Sequence, residues 1–319
     1  VRARSLRRAC FVVFALAPAA TAATWHVRPD GSGDAPTIQA AVDSAAAGDV
    51  VELADGTYTG AGNHGVNLSG KPIHVRSGSG APQTCVIDCQ GASRGFSFST
   101  GEGPATVVEG VTVRGASYAA VECYASPTIA GCIISANSWA SSSGSAVLLW
   151  SSGAVLQDCV IAGNAGSNTF GVPGGGVLVL GPSSVTIDRC TIADNSPNGV
   201  SVGFRAFARI DDTIAAFNAP GNGVACSSAG TALLTCSDVF ANAAGDWVGC
   251  LAGQAGINGN FSADPVFCAS IAGNYDLGAG SPCLPAFNSC GVRIGARGQG
   301  CGPVSVAPES WGRVKVRYR

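Results

Sequence analysis

The chain of 319 residues has no methionine, two lysines and three histidines, and only 12% of it is charged. With so few charges and a 46% apolar share it can bury a sizeable core, which excludes whole-chain disorder. The scarcity of lysine and methionine, together with 45 glycines, excludes an all-helical fold, because glycine at about twice its usual share is costly in helices. Beyond the N-terminus no segment stays apolar for eighteen residues, so the body of the chain lacks a membrane span. It also lacks a basic stripe. Residues 23–303 hold 10 basic and 19 acidic side chains, and an acidic body repels phosphate backbones, which makes nucleic acid a poor partner.

The remaining positive charge gathers at the two ends. Arg2, Arg4, Arg7 and Arg8 precede the apolar run CFVVFALAPAA and the small residues Ala20-Thr21-Ala22, the pattern of a secretory signal peptide over 1–22. A folded domain is expected over 23–303, and 304–319 reads as a basic tail, linker or sorting segment. The expected location is secreted or cell-surface.

Fourteen cysteines, thirteen beyond Cys10 of the signal, suit an exported protein. Cys250, Cys268, Cys283, Cys290 and Cys301 lie in glycine- and proline-rich sequence with little patterning, and disulfides are expected among them. The spacings contain no C-x-x-C pair and the histidines lie far away, which argues against zinc.

A repeat sets the architecture. PTIAGCIISAN (127–137), AVLQDCVIAGN (154–164), VTIDRCTIADN (185–195), ARIDDTIAAFN (208–218) and LLTCSDVFAN (233–242) align on a terminal asparagine. Asn137, Asn164, Asn195, Asn218 and Asn242 are spaced by 27, 31, 23 and 24 residues, and before these segments lie second short strands such as AVECY, AVLLW and GVLVL. One such unit cannot bury both faces alone, whereas stacked coils pair every strand above and below, giving a solenoid. Alternation points Val121, Cys123, Ile129, Cys132 and Ile134 inward, stacks Cys132, Cys159 and Cys190 with Thr213 and Ser237, and leaves the asparagines to form a ladder in left-handed turns. Asp246 is assigned to a turn. Residues 36–58 supply a cap for the exposed end, with Thr37 as helix N-cap, Gly48 as the stop and a strand at Val50–Leu53.

The opening TWHVRPDGSGDAPTIQAAVDSAAAGDVVELADGTY (24–58), with these coils, resembles right-handed parallel β-helix proteins of the pectin-lyase-like superfamily. The expected fold is all-β: a right-handed parallel β-helix solenoid with an N-terminal capping helix and a disulfide-rich C-terminal region. The resemblance implies work on acidic polysaccharides, but its known catalytic sets are incomplete. The paired-aspartate segments of pectin methylesterases have no counterpart. Of the polygalacturonase motifs only Asp211-Asp212 matches, with no histidine after His74, and the tryptophan-isoleucine-aspartate-histidine segment of pectate lyases is absent.

Two clusters remain. Asp188 and Asp211 fall at one outward position of adjacent coils, with Asp158 and Asp212 one residue on, so Asp188, Asp211 and Asp212 are candidate calcium ligands and Arg205 the candidate base of a lyase. The competing reading is a surface ion-pair network with Arg189, Arg205 and Arg209. Tyr124, Trp150 and Leu180 share another outward position, with Glu122 two residues before Tyr124. Tyr124, Trp150 and Glu122, with Trp139 and Phe170 from the intervening loops, are the candidate carbohydrate-binding residues, unless loops 138–146 and 165–176 cover this stripe. The expectation is therefore a monomeric β-helix for surface display, adhesion or carbohydrate binding. Its partner would be a polysaccharide, surface glycan or surface protein, with no required cofactor and calcium as the candidate ion; a polysaccharide lyase or glycosidase is the alternative.

Overall fold

The computed structural model describes residues 21–302 apart from 93, 140–143, 167, 170 and 228; the expected signal peptide and tail lie outside the described residues except at the junction. Three parallel sheets wrap a single apolar interior. They contain nine strands (Thr24–Val27 to Thr231–Thr235), eight strands (Gly56–Tyr58 to Asp238–Phe240) and seven strands (Val66–Asn67 to Val224–Cys226). Each coil visits the seven-, nine- and eight-stranded sheets in turn, as in Ala119–Cys123, Thr128–Ala130 and Ile133–Ser135. The chain is thus the expected right-handed parallel β-helix.

The alternation of apolar and polar side chains sets the register, since a slip of one residue would turn every core side chain outward. Ile129, Leu156, Ile187, Ile210 and Leu234 pair coil to coil and are buried. Cys132, Cys159 and Cys190 occupy the next inward column, and their thiols donate to the carbonyls of Val108, Ile129 and Leu156 in the preceding coil. Thr213 and Ser237 continue that column: the Cys190 amide donates to Thr213 Oγ1 and the Thr213 amide to Ser237 Oγ. The contact between the Cys132 and Cys159 thiols, together with burial, holds the Cys132 thiol well above its ordinary pKa, and all three cysteines of the column are buried.

The asparagine ladder runs without a break. The side-chain amides of Asn137, Asn164, Asn195 and Asn218 each donate to Oδ1 of the next asparagine, at 3.0, 2.9, 3.2 and 2.8 Å. That same oxygen also accepts the backbone N–H of the donor residue. Asp246 takes the place of a sixth rung, accepting from the Asn242 amide at 2.8 Å, so it terminates the ladder rather than merely sitting in a turn. The left-handed residue is the one before each asparagine: Ala136, Gly163, Asp194, Phe217 and Ala241 have φ between 52° and 64°. The asparagines are therefore selected by pairing and not by backbone conformation.

Both ends of the stack are closed. The helix Ile38–Ser44 is capped by Thr37 and buries Ile38, Ala41 and Val42. It ends before Gly48, at Ala45, where Lys71 Nζ donates to the carbonyls of Val42, Asp43 and Ala45. At the other end side-chain amides stand in for a further strand. Gln254 accepts from the Leu234 amide and donates to the Ala232 carbonyl, while Asn260 accepts from Ser237 and donates to Leu234.

Disulfides join Cys226 to Cys250, Cys236 to Cys290 and Cys268 to Cys301. The C-terminal region is disulfide-rich as expected, but two of its partners, Cys226 and Cys236, come from the last coils. Cys283, expected among the bonded set, is a buried free thiol. No helix among the described residues is long and apolar enough to cross a membrane.

Candidate functional site

The outward face of the seven-stranded sheet carries the stripe in the expected register: Ser97, Glu122, Leu148 and Leu178 pair in one column, and Trp150 pairs with Leu180 in the next. Its two halves differ. Over the later coils Leu148, Leu178 and Leu180 are buried beneath Val172, with half-buried Trp150 packed against them. Val172 belongs to the short hairpin Asn168–Thr169 and Val172–Pro173, so part of loop 165–176 packs over this half of the stripe and Trp150 keeps only part of its surface open. Trp139 is also withdrawn from the surface. It is 7% exposed and joins the main core, with its indole filling the space beside Gly144 where a Cβ would collide. Phe170 lies outside the described residues.

Over the earlier coils the face is open and polar. Tyr124 is 46% exposed. Beside it Glu122, 3% exposed, receives Arg94 through two contacts, Nε to Oε2 at 2.6 Å and Nη2 to Oε1 at 3.2 Å, and Ser97 Oγ at 3.3 Å. The Arg94 guanidinium also lies 4.6 Å over the Tyr118 ring. Partial burial, followed by the nearby Glu122 charge, raises the pKa of the Tyr124 phenol. Arg94 and Ser97 thus take three of the about four acceptor positions of the buried Glu122 carboxylate.

The carboxylates at the turns form the ion-pair network. Asp188 and Asp211 are adjacent in register. Arg189 contacts Asp188 at 2.8 Å and Asp158 at 3.0 Å, and Arg209 contacts Asp211 at 2.5 Å. A further cation arrives from far along the chain, since Arg293 pairs with Asp158. Burial pushes the pKa values of Asp188 and Asp212 up, the direction that desolvated carboxylates take when their neighbours are also acidic. Among the described residues no group of three or more histidine, cysteine, aspartate or glutamate side chains is placed to hold a metal ion. Arg205 sits in an exposed turn two residues before the strand Phe207–Asp211, and that strand alone carries the backbone about 13 Å from Phe207 to Asp211 at about 3.3 Å per residue. The candidate base and the candidate calcium ligands are therefore not brought together.

Residues 94–262 match the family described as a right handed beta helix region. The chain belongs to this β-helix family. Among solved structures it is similar to pectate lyase Pel9A, with 19% identity, a TM-score of 0.54, and coverage of 70% of this chain and 65% of that enzyme. The β-helix thus spans just under two thirds of that enzyme's length, and at this identity the likeness is one of fold. A mannuronic acid specific polysaccharide family 6 lyase from human gut microbiota matches at 15% identity over 68% of this chain and 54% of its own, with a TM-score of 0.45. No curated protein matches the chain.

Within this β-helix the residues missed by sequence reasoning are Arg94, Ser97 and Tyr118. The coil of Arg94–Phe98 lies before the first aligned repeat, and its strand RGFSF carries no terminal asparagine. Alternation alone placed Glu122 outward; its partners follow from the pairing of Ser97 with Glu122 across coils.

Proposed function

We propose that this β-helix is an exported, surface-acting carbohydrate-binding protein whose ligand seats on the open half of the seven-stranded sheet. The observation that carries the reading is the exposed Tyr124 ring standing beside the rigid Arg94–Glu122–Ser97 cluster. A half-exposed aromatic offers a flat apolar face to the C–H face of a sugar ring, and the neighbouring charged pair and Tyr118 give hydroxyls fixed polar groups to meet. Glu122 is largely engaged by Arg94 and Ser97, and Arg205 lies in a turn beyond the strand that carries Asp211, which favours binding over cleavage. Export is supported by the three disulfides, which persist in oxidising compartments, and by the arginine-led apolar start of the sequence.

The test is a glycan array run beside an assay for unsaturated and reducing-end products on acidic polysaccharides. Wild type should bind a defined glycan without releasing product. Tyr124→Ala should weaken that binding about tenfold or more while leaving the unfolding midpoint unchanged, because the ring lies outside the core. Product release would establish an enzyme instead, and unchanged binding by the variant would remove this face from the function.

A further inference from the structure

The late coils of the nine-stranded sheet, away from the Tyr124 face, carry a turn whose side chains conflict with its backbone. The strand Asn198–Val202 passes to Phe207–Asp211 through a tight turn closed by the Ala206 amide on the Gly203 carbonyl at 3.1 Å. Its two central residues, Phe204 and Arg205, are both left-handed, with φ of 50° and 62°. Such a turn favours asparagine followed by glycine, because a bulky side chain at positive φ crowds its own backbone. The other three consecutive left-handed pairs among the described residues, Ser69–Gly70, Gln90–Gly91 and Asn258–Gly259, all end in glycine. In the equivalent turns of neighbouring coils the left-handed residue is small: Ser151, Gly181 or Ala229. The glycine of this turn stands instead at 203, where a Cβ would come within 2.9 Å of Val172.

Burial does not compensate for that strain. Phe204 is 39% exposed, and Phe207 and, on the adjacent strand, Leu233 are 36% and 44% exposed. Arg205 is exposed as well. Strained residues that gain nothing from their own core point to a use of their side chains outside it, and a group of open apolar side chains marks a surface that something covers.

The charges on this face say what covers it. Along Phe207–Asp211 the outward residues run Phe207, Arg209, Asp211, with Arg205 before the strand and Asp212 after it. Asp188 lies beside Asp211 in register, so the face is apolar and cationic at one end and acidic at the other. Arg209 is held by Asp211 and Arg189 by Asp188, whereas Arg205 and Asp212 have no ion pair among the described residues. Such a face is complementary to a copy of itself turned through half a revolution, since a two-fold axis sets one residue against a second and that second against the first. With the axis at the middle of the strand, Arg205 meets the partner's Asp212 and the Phe207 ring meets the partner's Arg209, a cation–π contact, and each pairing occurs twice. We infer that the chain forms a two-fold dimer through the late coils of the nine-stranded sheet, with the Phe204–Arg205 turn of each protomer seated on the acidic end of its partner. This departs from the monomer expected from the sequence.

The experiment is sedimentation velocity of the intact oxidised protein from about 1 µM to about 1 mM, a range that spans moderate to weak association. Wild type should pass from monomer to dimer across it. Giving the turn its preferred pair, Phe204→Asn with Arg205→Gly, should weaken the dimer about tenfold or more and yet raise the thermal unfolding midpoint, because the strain is relieved while the contacts are lost. Arg205→Asp and Asp212→Arg should each weaken the dimer by setting like charges opposite, and the two changes in one chain should restore it. Both exchanges fit the backbone, since Arg189 is left-handed in the turn equivalent to that of Asp212 and aspartate tolerates this conformation at 205. Tyr124→Ala should leave the dimer intact, which separates this face from the proposed carbohydrate face. The inference is overturned if wild type stays monomeric throughout, which would leave the face to an unlike partner. It is also overturned if the turn variant dimerises as wild type does, or if the double charge reversal fails to restore what the single reversals lose.

Discussion

Cysteine is used in opposite ways by the coils and by the C-terminal region. In the coils Cys85, Cys89, Cys123, Cys132, Cys159 and Cys190 are buried free thiols, whereas Cys250, Cys268, Cys290 and Cys301 are all cross-linked. The difference follows from regularity. Where each strand pairs with its equivalent above and below, backbone hydrogen bonds and an asparagine ladder define every position, and cysteine serves as a small apolar side chain that stacks well. Beyond the last coil the chain has short 3-10 turns and one small sheet, and little repeats, so covalent closure of the unfolded chain adds to a small apolar cluster around Leu277, Leu284 and Ile294.

That contrast can be broken on either side. The largest effect is expected in the coils: Asn195→Ala removes the acceptor of two buried donors on Asn164 and both donations of its own amide, to Ile161 and Asn218. At about 1–3 kcal/mol for each unsatisfied group the loss should reach about 5 kcal/mol, read as a lower urea midpoint. In the C-terminal region, replacing Cys236 and Cys290 by serine opens a loop of sequence separation 54 and should cost about 4 kcal/mol. Limited proteolysis of this variant should cut first between 262 and 302 while the coils persist; simultaneous loss of the coils would show that the cross-link also holds the body together.

Cys283 is the exception within the cross-linked region, and it sharpens the comparison. Its thiol donates to Asp238 Oδ2 at 3.4 Å, and burial raises the Asp238 pKa to about 7 against an ordinary 3.8. The folded state therefore holds a proton that the unfolded chain releases. Stability from this group is complete below pH about 4 and is lost as pH rises through about 7, by up to about 4 kcal/mol. Asp238→Asn should flatten the pH dependence of the urea midpoint between pH 4 and 8. An equal slope in the variant would assign the effect to other groups.

The parts of this molecule that were legible in its sequence are those the repeat states many times over. The asparagine ladder, the Cys132–Cys159–Cys190 column and the outward register of Glu122, Tyr124 and Trp150 each depend on pairing between equivalent positions, and alternation with period two reveals such positions. Thr37 was readable as a helix cap for a similar reason, since a cap involves neighbours three residues apart. The candidate site was less legible. Alternation showed that Trp150 points away from the core but not that Val172 would cover it, because burial of an outward face depends on where a loop lands.

The sequence by itself determined the solenoid and its inward side chains, which rest on hydrogen bonds and packing between a residue and its equivalent one coil away, and the helix that closes its first coil, whose cap joins residues three apart. Only the tertiary structure decided which cysteines pair, that Arg293 reaches Asp158 across 135 residues, and that Arg297 lines one groove with Gly110 and Gly131. Those contacts belong to the non-repeating return of the C-terminal chain across the stack. No period encodes such a path; it follows from how a folded strap fits the shape of coils already built.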